Sequence, residues 1–275
     1  MKIINIEATT LPDSWFQLVY AALEHGRNFT IDEGSFAGHG RLEMDFAVAN
    51  IKRPFERDTN GLPLLPETPE GNDTPPPVTQ EYLLSYIPYI MGSLMGAEPE
   101  ENESYTYGQR MTEEIIDDSY FEWARNLEIY KDIPGDYFWM DKPYFDYILN
   151  QINLICKTYK ENGHRNNQLV IQIAKPTDLL LLDPPCLRHI DTRIQDNKLH
   201  FFPYFRSWDL WSGYPANLAG LSVLQEYMAE EIGVEQGEMI ATSKGLHLYD
   251  YSVPFAEMRT LVSTQPKRED YTASL

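Results

Sequence analysis

An α+β fold, an antiparallel-leaning sheet with helices largely on one side, is what this sequence predicts, and three observations carry the prediction. Strand-like runs follow one another in the second half: "NQLVIQIA", "LRHIDTRIQD" and "KLHFFPYFRSWDL". The last two are joined only by Asp196–Asn197, a residue pair suited to a tight hairpin turn. Helical segments stand before and after this group of strands. No internal repeat divides the 275 residues, and a 43% hydrophobic content can fill a substantial core, so one domain spanning 1–275 is expected.

The elements are justified in chain order. Residues 13–25, "DSWFQLVYAALEH", read as a helix capped by Asp13. The next stretch, "GRNFTIDEGSFAGHGRLEMDFAVANIKRPFE", is glycine-punctuated and strand-like, with Arg27 directly behind Gly26. Residues 62–79, "LPLLPETPEGNDTPPPVT", are too rich in proline for regular structure and read as an exposed loop or linker. Thr79 opens a helix over 79–92 that carries Glu81. The acidic run "AEPEENES" is a solvated loop, and "YTYGQRMTEEIIDDSYFEWARNLEIYK" a turn followed by a helix. Ile148, Leu149, Ile152 and Ile155 recur at helical spacing and predict a helix over 143–162, which holds Cys156. "NLAGLSVLQEYMAEEIG" is an amphipathic helix with Asn217 at its cap and Gly233 just past its end. "GEMIATSKGLHLYDYS" closes the core with a strand pair, and the tail from about residue 262 is read as mobile.

The formal net charge of −20 sets the surface against phosphate backbones and so against nonspecific nucleic-acid binding. One small anionic ligand stays compatible with it, provided several of the 22 basic residues converge. No apolar run approaches the roughly 20 residues of a membrane span, and "MKIINIEATTLPDSWF" lacks a secretory apolar region, so a soluble cytoplasmic protein is expected. Two cysteines make no disulfide framework. Cys156 reads as a buried core thiol. Cys186 follows a rigid Pro-Pro and precedes an alternating strand, so a turn sets its exposure.

Thiolate is the reactive form of cysteine, and a nearby cation lowers the thiol pKa. Arg188 falls on the same side of a regular strand as Cys186, and Arg206 approaches from the neighbouring strand of the hairpin. Cys186 is therefore a nucleophile candidate, with an inert buried thiol as the alternative. The run "FRSWDLWSGYPANLAGLSVLQEYMA" adds an ordered set: Arg-Ser-x-Asp-x-x-x-Gly-x-Pro-x-Asn leading into a helix. With "PPC" ahead of it and "HLY" behind, this pattern resembles the thymidylate synthase family, specifically its methanogen-type branch. The resemblance is close from about residue 165 to 250 and scattered before that.

What the resemblance implies is a mixed β-sheet core and a dUMP-methylating enzyme. Cys186 would add to C6 of the uracil ring, and C5 would then take the one-carbon unit of a methylene-tetrahydropterin. Arg206 would bind the substrate phosphate, as a permanently charged, forked cation can. Ser207 would make a second phosphate contact and Arg27 would close on the phosphate from the N-terminal half. Asn217 would read the base, since a carboxamide offers one donor and one acceptor to O4 and N3–H. Asp209 would hydrogen-bond the pterin ring, Gly213 would let the backbone approach it, and His247 with Tyr249 would hold the sugar 3′-hydroxyl. "QEYLLSYI" places a catalytic glutamate on Glu81, and "TYGQR" places a role in C5 proton removal on Tyr107.

Departures from the family pattern are visible as well. Leu187 stands where a histidine usually follows the nucleophile. "GHRNNQLV" offers Arg165, flanked by Asn166 and Asn167, where two arginines usually reach the partner subunit's phosphate. No tryptophan lies between Glu81 and Tyr107, leaving Tyr86 or Tyr89 as substitutes. A dry site favours a methyl product and a wet one a hydroxymethyl product, so a pyrimidine-nucleotide hydroxymethyltransferase is the alternative, with a non-catalytic nucleotide-binding relative as a third reading. The family implies a homodimer and no metal. It leaves open 5,10-methylenetetrahydrofolate against methylene-tetrahydromethanopterin, and deoxyribo- against ribonucleotide.

Overall fold

The computed structural model describes residues 1–32, 37–96, 105–116, 138–141 and 146–264. Its strands are β1 (Ile3–Ala8), β2 (Arg27–Thr30), β3 (Gly40–Met44), β4 (Phe46–Ile51), β5 (Glu114–Ile116), β6 (Phe138–Asp141), β7 (Asp146–Leu149), β8 (Val170–Gln172), β9 (Leu187–Gln195), β10 (Lys198–Phe205), β11 (Trp208–Asp209), β12 (Glu235–Ser243) and β13 (Leu246–Tyr249). Its helices are α1 (Leu11–His25), α2 (Gln80–Met91), α3 (Tyr107–Thr112), α4 (Gln151–Asn162), α5 (Gly213–Ile232) and α6 (Val253–Thr260). The fold is α+β. A six-stranded sheet runs β1-β4-β12-β10-β9-β8, and four- and three-stranded sheets run β11-β13-β3-β2 and β5-β7-β6. The large sheet is mixed: β1–β4 and β10–β12 pair in parallel, the other neighbours antiparallel.

Alternation decides what each face of that sheet meets. Ala47, Ala49 and Ile51 of β4, Leu199, Phe201 and Phe205 of β10 and Met239 and Ala241 of β12 are buried in the core, where α1 packs on β1 and β4 and α5 on β10 and β12. The intervening residues, such as Val48, Phe202, Tyr204 and Ile240, are only half-buried. Burying an apolar residue of this size contributes about 2 kcal/mol, so a sheet face left half-covered has stabilisation still to gain.

Several local expectations hold for stated reasons. Asp196 and Asn197 both take positive φ, 51° and 59°, as a two-residue hairpin turn demands. Gly233 ends α5 in the left-handed conformation, its N–H donating to the Ala229 and Glu230 carbonyls. Thr79 caps α2, its side chain accepting from the Tyr82 N–H at 3.1 Å.

Others are corrected. Thr10, not Asp13, caps α1, because the hydroxyl accepts from the Asp13 N–H while Asp13 sits in the first turn. The helix expected over 143–162 starts at Gln151, since Asn150 caps it and residues 146–149 pair with β5 and β6. Asn217 is no cap: α5 begins four residues earlier, where Asp209 takes the N–H groups of Ser212 and Gly213. β12 and β13 belong to different sheets rather than forming a pair. The acidic loop at 97–104, most of the helix expected after α3 and the tail beyond Thr264 lie outside the described residues.

The proline-rich stretch 62–79 has no helix or strand, yet it is not a free linker. Pro63, Pro66, Thr74, Pro77 and Val78 are buried. Arg259 of α6, 9% exposed, donates to Thr68 Oγ1 at 3.0 Å, to Thr74 Oγ1 at 3.2 Å and to the Glu67 carbonyl. Its guanidinium also lies 5.4 Å from the Trp15 ring centroid. Arg259→Ala removes three hydrogen bonds, one of them to the buried Thr74, and should cost about 2 kcal/mol. Denaturant unfolding measures that loss, and hydrogen exchange should show faster opening confined first to residues 64–78; uniform protection there would contradict the anchoring role.

Candidate active site

The β9–β10 hairpin sets the first part of the site. Its register runs one-to-one from Lys198↔Gln195 to Tyr204↔His189, then shifts so that Phe205 faces Leu187. Arg188 is the extra residue of this bulge. Its carbonyl accepts from the N–H groups of Ile173 and Ala174, which turns the chain end out of the ladder. Just past the bulge, the Arg206 N–H donates to the Cys186 carbonyl at 2.8 Å. The residues expected to be nucleophile and phosphate binder are thus held side by side by backbone geometry.

Two further devices orient what faces them. Asp209 pairs with His247 in the β11–β13 register. Its carboxylate accepts from the N–H groups of Trp211, Ser212 and Gly213 at 3.0–3.1 Å and from Ser212 Oγ at 2.7 Å, which fixes the start of α5. Asn217 then lies in the second turn. Trp208 Nε1 donates to its Oδ1 at 2.7 Å, and its Nδ2 donates to the Tyr86 hydroxyl. At the end of α2, Gly92 has φ 55° and lies in backbone contact with Gly108, an approach no Cβ permits. That contact seats Tyr107 at the start of α3.

A cavity of about 350 Å³ results, within the size range of small-ligand sites. Tyr107, Cys186, Arg206, Ser207, Asp209, Gly213, Asn217, His247 and Tyr249 all line it, from four separate elements and the turns between them. Three expected site residues do not. Glu81 is exposed in the first turn of α2, on a different face of that helix from Tyr82, Tyr86 and Tyr89. Arg27 is ion-paired to Asp45, at a separate depression with Met1 and His25. Arg165 is exposed on the loop between α4 and β8.

The matching sequence model is that of thymidylate synthase, over residues 110–272, more than half of the chain. The chain belongs to the thymidylate synthase family. Among its relatives, a "Putative thymidylate synthase" of Methanosarcina mazei is 29% identical over 252 residues, 92% of each chain. One so described from Methanothermobacter thermautotrophicus is 23% identical over 92% of this chain and 96% of its own. Thermostable thymidylate synthase A of Bacillus subtilis superposes with a TM-score of 0.61, covering 93% of this chain and 85% of its own, at 15% identity, a likeness of fold.

Electrostatics within this cavity follow from burial. Cys186 is half-buried, and desolvation pushes its thiol above the ordinary value of 9.0 even though Arg206 and Arg188 pull it down. Arg206 donates to the Pro184 and Pro185 carbonyls and to Asp183 Oδ1 at 3.1 Å, so it clamps the turn that carries the cysteine. Arg188 is turned instead toward Asp178, 3.6 Å away. Burial drives the Tyr107 hydroxyl far above its usual range, with Cys186 adding to the shift, so it keeps its proton. His247 is 2% exposed and held neutral by burial. Its Nδ1 faces the Gly245 carbonyl at 2.9 Å, which leaves Nε2 as a buried acceptor without a partner. Cys156 is the core thiol expected, 5% exposed and pushed up to about 12 by burial.

Among the cavity residues not singled out from the sequence are Arg41 and Trp208. Arg41 pairs with Tyr249 across the β3–β13 register and lines the cavity. Its Nε lies 2.8 Å from Glu43 Oε2 but is misaligned for a hydrogen bond. Only sheet pairing brings it to the site, so no local signal separates it from other basic residues. Trp208 occupies an unassigned place inside the Arg-Ser-x-Asp pattern, where its N–H meets Asn217.

Because the Cys186 thiol lies above 9.0, its alkylation by iodoacetamide, read by peptide mass spectrometry, should keep accelerating through pH 9. Arg206→Ala should slow it further at any given pH by removing the stabilising charge. A rate that levels off below pH 8 would contradict this electrostatic picture.

Proposed function

We propose that this protein converts dUMP to dTMP by reductive methylation, with a 5,10-methylene-tetrahydropterin as cosubstrate. The observation that carries the reading is the convergence of Cys186, Arg206 and Asn217 on one cavity with the His247–Tyr249 pair. Binding alone needs no thiol there, and this weighs against a non-catalytic relative.

Each group has a task its chemistry suits. Cys186 attacks C6, making C5 nucleophilic. Arg206 exchanges its carbonyl and Asp183 contacts for the phosphate, whose binding therefore also releases the Cys186 turn. Ser207 adds a hydroxyl donor. The unpartnered Nε2 of His247 accepts from the sugar 3′-hydroxyl, with the Tyr249 ring 4.6 Å from the imidazole at an edge-on angle of 83°. Tyr107 keeps its proton, so it assists loss of the C5 hydrogen by orienting water rather than as a phenolate. The cosubstrate supplies the one-carbon unit and the reducing hydride. Of the Asp209 oxygens, Oδ2 is saturated by three donors, while Oδ1 carries one and retains a lone pair for a pterin N–H. Gly213 leaves room beside it, since a Cβ there would lie 3.3 Å from the Asp209 Cβ.

Hydroxymethyl transfer is the second reading, favoured by one feature. Tyr82, Tyr86 and Tyr89 stack in sequence, and Tyr89 meets Tyr107 edge-on, where the common synthases carry a tryptophan. Phenol hydroxyls hold water more readily than an indole edge does. A homodimer fits the half-covered face of the large sheet and the bare Leu179, Leu180 and Leu182, 86–99% exposed just ahead of Cys186. Arg165 would then be the candidate for a phosphate contact across the interface, and the roles of Glu81 and Arg27 would require movements of α2 and β2.

Incubation with 5-tritiated dUMP and the cosubstrate should release tritium to water, and Cys186→Ser should lower the rate by about a thousandfold or more. Unchanged release would remove Cys186 from the mechanism. The product should be heavier than dUMP by CH2; a gain of CH2O would establish the second reading instead.

A further inference from the structure

An asparagine does not by itself distinguish uracil from cytosine. Uracil presents an acceptor at O4 and a donor at N3, cytosine a donor at N4 and an acceptor at N3. Half a turn about χ2 exchanges the carboxamide's O and NH2, so one Asn side chain can complement either base. Something must forbid the turn.

We propose that Trp208 is the specificity-determining positioning residue of this site: its indole N–H locks the Asn217 carboxamide in the orientation that complements uracil and excludes cytosine. The inference rests on the reading of Asn217 as the base contact. Trp208 Nε1 lies 2.7 Å from Asn217 Oδ1, and an indole nitrogen only donates, so the atom facing it must be the oxygen. A flipped Asn217 would set N–H against N–H in a part-buried setting. The Tyr86 hydroxyl at the other end of the carboxamide imposes no such rule, because it accepts from Nδ2 in one orientation and would donate to Oδ1 in the other. With both contacts made, Asn217 retains one N–H and one oxygen lone pair, the complement of O4 and N3–H.

The indole is well placed to enforce this. It is 3% exposed, stacks on Phe205 with centroids 3.7 Å apart and planes within 6°, and meets Tyr214 at 4.5 Å. Its backbone is tied to Gly245 and to the β11–β13 pairing. Neither a rotation of the ring nor a local backbone shift is cheap, so the donor stays aimed.

The test is a comparison of dUMP and dCMP affinities, measured by isothermal titration, for the native chain, Trp208→Phe and Tyr86→Phe. The native chain should prefer dUMP. Trp208→Phe keeps an aromatic stack and removes the donor; it should narrow the preference by about tenfold to a hundredfold, chiefly through tighter dCMP binding. Tyr86→Phe should leave the preference nearly unchanged. If Phe at 208 fails to fold, benzothienylalanine at that position keeps the two-ring outline without the N–H and carries the same expectation. A preference that survives donor removal, or that narrows only because dUMP binds less well, overturns the role of Trp208. A native chain that binds dUMP no better than dCMP overturns it too, and one that binds neither refutes the functional reading beneath it.

Discussion

The hydrogen bond from the Arg206 N–H to the Cys186 carbonyl is the constraint on which the site depends. It lies one step past the β-bulge at Arg188, where the hairpin ladder has ended and the Pro-Pro turn has not yet begun. Because it joins backbone to backbone, the main chains of the two residues stay adjacent, and the contacts of the Arg206 side chain to Pro184, Pro185 and Asp183 then decide where the guanidinium lies. The buried Asp178 secures the outer side of the turn. Arg110 donates to its two oxygens at 2.7 and 2.9 Å, and Asp178 itself accepts from the Lys175 N–H. Burial disfavours its charge, but those hydrogen bonds and the two nearby guanidinium groups outweigh burial and hold the carboxyl below its usual range.

A second anchor repeats this logic at the opposite wall. Asp209 fixes the start of α5 by accepting from the Ser212 and Gly213 N–H groups, so that Asn217 falls one turn inside the helix with its carboxamide placed against Trp208 and Tyr86. The same carboxylate lies beside His247 in the sheet register. In a chain of net charge −20, Arg41 and Arg206 both line this cavity, each beside a carboxylate, Glu43 for Arg41 and Asp183 for Arg206. The overall field repels polyanions, and a small anion entering the cavity has to displace Asp183 from Arg206 and compete with Glu43 for Arg41.

How much of this was legible in the sequence depended on whether the deciding physics was local. The Asp196–Asn197 turn and the Gly233 helix end could be read because positive φ selects few residue types. The polar set from Arg206 to Tyr249 could be read because its order and spacing are specific. Asn217 was misplaced as a cap since the helix starts at Gly213, its first N–H groups held by Asp209, which lies eight residues before Asn217 at the end of β11. The strand at 146–149 was hidden because its apolar residues continue the helical rhythm of α4, and only pairing with β5 and β6 overrides that rhythm. Arg41 and the Trp208 donor had no local signature. Glu81 and Arg27 matched motifs, but their faces turn away from the cavity.

The central claim is that Cys186 forms the bond to the pyrimidine ring inside this cavity. Mass spectrometry of the protein after incubation with 5-fluoro-dUMP and methylenetetrahydrofolate or its methanopterin counterpart tests it most directly, because fluorine at C5 cannot leave as a cation and the sulfur–C6 bond should persist. The account predicts one covalent adduct carrying nucleotide and cosubstrate, on the peptide that contains Cys186. An adduct on Cys156 or another residue, or turnover of dUMP with no adduct from the fluorinated analogue, would contradict it.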